Sequence, residues 1–248
     1  MSERYRVSVV LPAYNEAGNI ERVLRQVNAT CSRVFADYEV IVVDDGSRDA
    51  TPELLARASA ADPRVHVITH PVNRGYGEAL HSGFRAATQE LIFFTDSDNQ
   101  FDIDEIELLL PFIDRVDAVC GYRIDRQDPW RRRFMAGAWN VLVRALFYVP
   151  VRDIDCAFKL FRKSVFEAID IESVGAMVNT ELMVKIGRAG AGVVEVGVTH
   201  LPRTSGKPRG ASPRVILTAF RELVAMRHRL RAIGPVDPRL STAPHDAA

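Results

Sequence analysis

Residues 90–101 read ELIFFTDSDNQF. The run LIFFT is bulky, uncharged and short, which predicts a strand buried on both faces. At its end stand two carboxylates, Asp96 and Asp98, separated only by Ser97. Upstream the same grammar repeats. YRVSVVL (5–11) predicts a β-branched strand ending at Pro12, and residues 15–31 carry Ile20, Val23, Leu24 and Val27 at helical spacing. YEVIVVDD (38–45) predicts a second strand. GSRDAT and a helix from about Pro52 follow it, with Asp49 or Thr51 as cap. RVHVITH (64–70) predicts a third strand, and the turn NRGYG leads into a helix with Leu80, Phe84 and Ala87 on one face. Strands alternating with helices imply a mostly parallel sheet covered on both faces. Ligands bind such sheets outside the carboxyl ends of the strands. PAYNE, DDGS, HPVNRG and TDSDNQ all fall at that edge.

The second half is less regular. VDAVCGYRI (116–124), DIDCAFKLF (153–161) and AGVVEVGVTHL (191–201) predict strands. Residues 129–149 predict a basic, aromatic amphipathic helix, 179–189 a helix, and 213–233 a long cationic helix. The expected division is a catalytic unit over 1–210, the cationic helix over 211–233, and a Pro/Ala/polar tail without fixed structure over 234–248. There is no internal repeat.

The chain has 248 residues, 47% hydrophobic and 26% charged, enough for a substantial core. Its net charge is zero, so no global pull toward nucleic acid is expected. Locally the charge is split. Between residues 96 and 117 acids outnumber bases eight to one, and between 199 and 234 bases outnumber acids by the same ratio. The split suggests a cation-holding region and an anion-facing region. Three cysteines with no CxxC argue against a disulfide scaffold or zinc site and for a reduced cytosolic protein. MSERYRVSVVLP lacks the apolar core of a signal peptide. No window reaches about 18 uncharged apolar residues, so no transmembrane helix is expected. GYGEAL is a poor match to a dinucleotide loop, and GxxxxGK[ST], HExxH and GxSxG are absent.

Clustered carboxylates repel unless a cation or proton relieves them. A hard divalent ion, Mg²⁺ or Mn²⁺, is the simplest relief for Asp96 and Asp98, with Gln100 as a neutral oxygen ligand. The alternative is an acidic turn capping a helix that starts near Asp102. Asp45 in DDGS is either a turn residue or a hydrogen-bonding group for a base or ribose. Tyr14 in PAYNE is either a packing residue or an aromatic wall of the site.

VVLPAYNEAGNI, VIVVDDGSRDAT, NRGYGEAL and FFTDSDNQF, in this order, resemble the family 2 glycosyltransferases of GT-A fold. GYRIDRQDPWRRR, DIDCAFKLFR and NTELMVKIGRAGAGVVEVGVTHLPRTSGKP resemble the dolichol-phosphate mannose and glucose synthases and their bacterial polyprenyl-phosphate relatives. The likeness spans roughly residues 5–210. It implies a Rossmann-like sheet with amphipathic interface helices in the second half. It implies a nucleotide pocket lined by Pro12, Tyr14, Glu16, Val43 and Asp45, and a metal and diphosphate motif of Asp96, Ser97, Asp98 and Gln100. Arg123 and Arg203 match arginines that hold the donor diphosphate, with Lys207 nearby. Arg131 and Arg132 fall where the family receives the lipid phosphate. The sequence departs there: a serine often found four residues before the Asn140 position is Ala136. Asp155 and Glu181 sit in family-like motifs without an assigned role.

The resemblance implies inverting transfer of a hexose from a nucleotide-diphosphate sugar, GDP-mannose first, to a polyprenyl phosphate. The acceptor oxygen is already anionic, so positioning and charge neutralisation carry the chemistry and no catalytic histidine is required. UDP-glucose or a UDP-N-acetylhexosamine as donor, a soluble polysaccharide-type transferase, and a non-catalytic nucleotide-sugar-binding module are the competing readings. WRRRFMAGAWNVLVRALFYV borders an apolar face with arginines. It fits either a helix in a membrane interface or a core-facing helix with a basic end. The expected location is the cytoplasmic face of a membrane, peripherally bound, with a separate small membrane protein as a possible partner.

Overall fold

The computed structural model describes residues 5–124, 130–147, 149, 151–175, 177–203 and 221–228, with the backbone alone for 130–133 and 136. The first half alternates strands β1 (Arg6–Ala13), β2 (Asp37–Asp44), β3 (Val65–Thr69) and β4 (Leu91–Thr95) with helices α1 (Ile20–Val34), α2 (Thr51–Ala61) and α3 (Tyr76–Ala86). A 3₁₀ turn (Ile103–Leu108) and the short α4 (Leu110–Ile113) lead into the second half. There β5 (Ala118–Ile124), α5 (Trp130–Phe147), β6 (Phe158–Arg162), α6 (Ser164–Ala168), α7 (Val178–Arg188) and β7 (Val193–Thr199) follow in order.

The seven strands form one sheet in the order β3-β2-β1-β4-β6-β5-β7. All neighbours are parallel except β6, which runs antiparallel to β4 and β5. Six strands therefore end at one edge, and β6 begins there, with Phe158 opposite Thr95. Every residue of β4 is buried, as its unbroken apolar run requires. Phe93 meets Phe158 edge-on at 4.8 Å, and Phe94 stacks on Phe161 at 6.1 Å, which joins the two halves through aromatic contacts. On one face α3 lies close against β1, because Gly83 leaves no Cβ where one would stand 2.3 Å from Val10 Cγ1.

Four local expectations change. β1 continues through Pro12 to Ala13. Pro12 lies beyond the last pair with β4, Val10 with Phe94, so its missing N–H loses no ladder bond on that side. α1 begins at Ile20 rather than 15, because Asn15 is left-handed (φ 54°). The turn at Asp102 starts a 3₁₀ segment, with the Asp102 carboxylate accepting from Asp104 N at 3.1 Å. Only the second half of DIDCAFKLF is strand; 153–157 is a loop.

α5 buries one face and leaves another open. Val143 and Phe147 are buried, whereas Phe134 is 73% exposed and Met135 and Val141 are also open. Of the expected helix over 213–233, residues 221–228 are helical; the remainder lies outside the described residues, as does the tail. Leu223 and Met226 are buried in the fold, so that face is not available to lipid. No helix among the described residues is long and apolar enough to cross a membrane.

Candidate active site

The loops at the carboxyl edge are stitched to one another by side chains. Asn15 N donates to Ser47 Oγ (2.8 Å), Arg48 N to Asn15 Oδ1 (2.7 Å), and Glu16 N to Thr51 Oγ1 (2.9 Å). The Asp49 carboxylate accepts from Thr51 N at 3.0 Å, close to the α2 start. Ser97 Oγ donates to the Pro12 carbonyl (2.9 Å), and Asn99, left-handed at φ 59°, donates to Asn19 Oδ1 (3.2 Å). PAYNE, DDGS and TDSDNQ thus form one polar rim above β2, β1 and β4.

Two carboxylates stand at the end of β4. Asp96 is half-buried and accepts from the Tyr76 hydroxyl at 2.9 Å. Burial, and then the Asp98 carboxylate, push its carboxyl up to about 7; the Tyr76 bond, Arg123 and Lys159 pull the other way. Asp98 is buried, accepts from Gln100 N (3.2 Å), and pairs with Arg203 Nη2 at 2.5 Å. Arg203 arrives from the segment after β7 and also donates to Gln100 Oε1 at 3.1 Å. From β5, Arg123 binds both oxygens of Asp153, at 2.6 and 2.7 Å. Asp96, Asp98 and Arg203 thus gather at this edge from the ends of β4 and β7, and Arg123 of β5, held by Asp153, acts on Asp96 through its charge.

Other expected residues are used differently. Asp45 is buried: its carboxylate holds His70 Nδ1 (2.8 Å) and accepts from Arg74 N and Gly75 N (2.8 and 2.9 Å). It fixes the HPVNRG turn instead of presenting free oxygens. Its neighbour Asp44 keeps one buried oxygen with no hydrogen-bond partner among the described residues. Val43 is fully buried, and its Cγ2 would stand 3.4 Å from a Cβ at Gly83 of α3, so its side chain faces that helix. Ser97 is buried and serves the Pro12 carbonyl. Gln100 turns toward the β7 end, donating to the Leu201 carbonyl (3.3 Å), so its oxygen faces Arg203 rather than an open position. Glu16 accepts from Asn19 Nδ2 (2.7 Å), and Tyr14 is half-buried on the same loop. Lys207 and the side chains of Arg131, Arg132 and Ala136 lie outside the described residues.

Sequence reasoning missed several groups. Lys159 of β6 is buried and donates to the carbonyls of Ile154 (3.1 Å) and Cys156 and to Asn179 Oδ1 (3.4 Å). It holds the loop carrying Asp153 and Asp155, and its charge acts on Asp96. A lone lysine inside the apolar run AFKLF was the available signal. Glu181 is buried, pairs with Lys185 at 2.8 Å, and accepts from Glu172 N and Ser173 N (3.2 and 2.7 Å). Its role is to hold that loop. His70 is structural, bridging Asp45 and Ser82.

Among the described residues no three His, Cys, Asp or Glu side chains gather as a closed metal cage. Asp96 and Asp98 nonetheless suit a hard divalent ion. They are oxygen donors, close enough to repel each other, and a ligand's phosphate oxygens would complete the shell.

A family model described as glycosyl transferase family 2 matches residues 8–170. Glycosyltransferase AglD of Haloferax volcanii is 37% identical over 81% of this chain and 34% of its own length. The undecaprenyl-phosphate 4-deoxy-4-formamido-L-arabinose transferase of Pseudomonas fluorescens is 30% identical over 89% of this chain and 64% of its own. The chain thus spans between about a third and two thirds of the length of these curated relatives. Among solved structures, glucosyl-3-phosphoglycerate synthase from Mycobacterium tuberculosis, with Mn²⁺ and UDP-glucose, superposes with a TM-score of 0.69. It is 22% identical and covers 95% of this chain and 81% of that one. At that identity the likeness speaks for the GT-A fold. With the family match covering most of the described sheet, this chain belongs to glycosyl transferase family 2.

Proposed function

We propose that the chain transfers a hexose from a nucleotide-diphosphate sugar to a polyprenyl phosphate, with inversion, at the surface of a membrane. The observation that carries this reading is the Asp96 and Asp98 pair at the carboxyl edge, with Arg203 bonded to Asp98 and the charge of Arg123 acting on Asp96. A divalent ion, Mg²⁺ or Mn²⁺, held by Asp96 and Asp98 would neutralise the leaving diphosphate. Arg203 and Arg123 are the chain's own forks for the same charge. The relative that acts on undecaprenyl phosphate supports the acceptor class, and the solved structure with Mn²⁺ and UDP-glucose supports a metal-dependent nucleotide-sugar site. The exposed apolar face of α5, with Phe134, Met135 and Val141, supports peripheral attachment to a membrane surface. The catalytic unit would extend from residue 1 to about 210. GDP-mannose remains the first donor to test; UDP-glucose is the second, on the strength of the structural neighbour.

A panel of GDP- and UDP-sugars, each with Mn²⁺ and a short polyprenyl phosphate, tests the reading by formation of the lipid-linked sugar. We expect one donor to dominate and product to vanish with a chelator or with Asp98→Ala. Transfer to sugars but not to the lipid phosphate would reassign the acceptor. Unchanged turnover in Asp98→Ala would remove the metal assignment.

A further inference from the structure

NRGYG leaves one residue unexplained by the nucleotide-sugar reading, Tyr76, held between Gly75 and Gly77 at the start of α3. Both glycines are needed for contact. A Cβ on Gly75 would stand 2.6 Å from the Val174 carbonyl oxygen, and one on Gly77 would stand 2.2 Å from that of Ser173. Gly77 N donates to the Val174 carbonyl at 2.9 Å. The 172–174 segment is itself held by the buried Glu181 carboxylate through the N–H groups of Glu172 and Ser173. The first turn of α3 is therefore pressed against a braced backbone, and Tyr76 is carried with it.

The hydroxyl of Tyr76 donates to Asp96 Oδ1 at 2.9 Å. Among the described residues no other hydrogen bond reaches Asp96.

We infer that Tyr76 is a positioning residue: its hydroxyl holds Asp96 Oδ1 and so presents the other carboxylate oxygen to the divalent cation. This rests on the metal role proposed for Asp96. Carboxylates that bind metals are commonly oriented by such outer hydrogen bonds, whose loss weakens metal affinity by about 10- to 100-fold.

The test is Mn²⁺ binding to the full chain, followed by the electron paramagnetic resonance signal of free Mn²⁺. It is run with UDP and with GDP, using whichever nucleotide gives the tighter wild-type complex. Tyr76→Phe keeps the ring and removes one oxygen. We expect its Mn²⁺ dissociation constant to rise about tenfold, with the melting temperature held within a few degrees. The Mn²⁺ concentration for half-maximal transfer should rise in parallel. Asp96→Asn is the reference and should lose the ion. If Asp96→Asn loses Mn²⁺ while Tyr76→Phe binds it within twofold of wild type, this inference alone is overturned. If Asp96→Asn binds Mn²⁺ like wild type, the metal assignment falls and this inference with it. Should Tyr76→Phe not fold, Gly77→Ala carries the test. Its Cβ would meet the Ser173 carbonyl and displace the turn that carries Tyr76, so Mn²⁺ should bind severalfold more weakly; a lowered melting temperature with wild-type Mn²⁺ binding overturns the inference.

Discussion

Asp153 and Arg123 form a two-bond ion pair with side chains 10% and 11% exposed. Asp153→Ala would leave a largely buried guanidinium without its counter-charge. Breaking a buried pair from one side costs about 3–5 kcal/mol, so a clear drop in the urea midpoint is expected. A loss below about 1 kcal/mol would mean that water screens the pair. Asp96 makes an opposite prediction. A carboxyl raised by burial and by Asp98 costs the fold stability once pH exceeds its unfolded value near 4. That cost grows until pH passes the folded value, about 7. Asp96→Asn should therefore raise the melting temperature of the metal-free protein at pH 8 and gain nothing at pH 4. Equal effects at the two pH values would refute the burial argument. The carboxylates at the site were legible because Asp–x–Asp at a strand end is chemically conspicuous, whereas the arginines came from the family resemblance. Which oxygen each side chain offers was not legible: the sequence leaves Asp45 as turn residue or ligand group and suggests Gln100 as a ligand, and the fold gives their polar atoms to His70 and Arg203.

Elements were readable to the extent that their patterns are local. β2 and β4 read as apolar runs, and α1 shows Val23, Leu24 and Val27 on its buried face, as helical spacing required. Their ends were set by neighbours. The start of α1 moved because Asn15 bonds Ser47 and Arg48, residues more than thirty positions away. The start of α3 depends likewise on a backbone it meets only in the fold. Gly77→Ala would drive a Cβ into the Ser173 carbonyl. Overpacking of this kind costs about 1–3 kcal/mol, a drop of several degrees in melting temperature for a chain of this size. Gly137→Ala is the control: nothing lies within 4 Å of a Cβ there, so no loss is expected. Equal melting temperatures for the two variants would mean that the α3 contact is loose.

For the whole molecule, the split in charge resolves into two different uses. Of the acids after Asp98, Asp102 caps a turn, Asp104 and Glu107 pair with Arg33, and Glu105 accepts from Thr199 N at 2.7 Å. They serve folding, and the carboxylates proposed to hold a cation narrow to Asp96 and Asp98. Three exposed apolar side chains share one helix. Phe134, Met135 and Val141 of α5 stand open, while Val143 and Phe147 anchor the helix in the core. Flotation with liposomes rich in anionic lipid should carry the wild-type chain upward. The combined Phe134→Ser, Met135→Ser and Val141→Ser variant should stay in the dense fraction without loss of melting temperature, since exposed residues hold little of the fold. Wild-type protein that ignores such liposomes would remove the membrane-surface proposal.

By itself the sequence determined the alternation of strands and helices, the edge at which they end, and the Asp–x–Asp pair delivered to that edge; Arg123 and Arg203 came from the family resemblance. The first three follow from hydrophobic period and strand polarity, which act over a few residues. Only the tertiary structure decided that β6 inserts antiparallel between β4 and β5. It alone decided that Lys159 binds Asn179 in the interior, that Tyr76 donates to Asp96, and that Gln100 faces Arg203. Those outcomes depend on which distant backbones are close enough to satisfy a buried polar group. No local pattern in the chain encodes that distance.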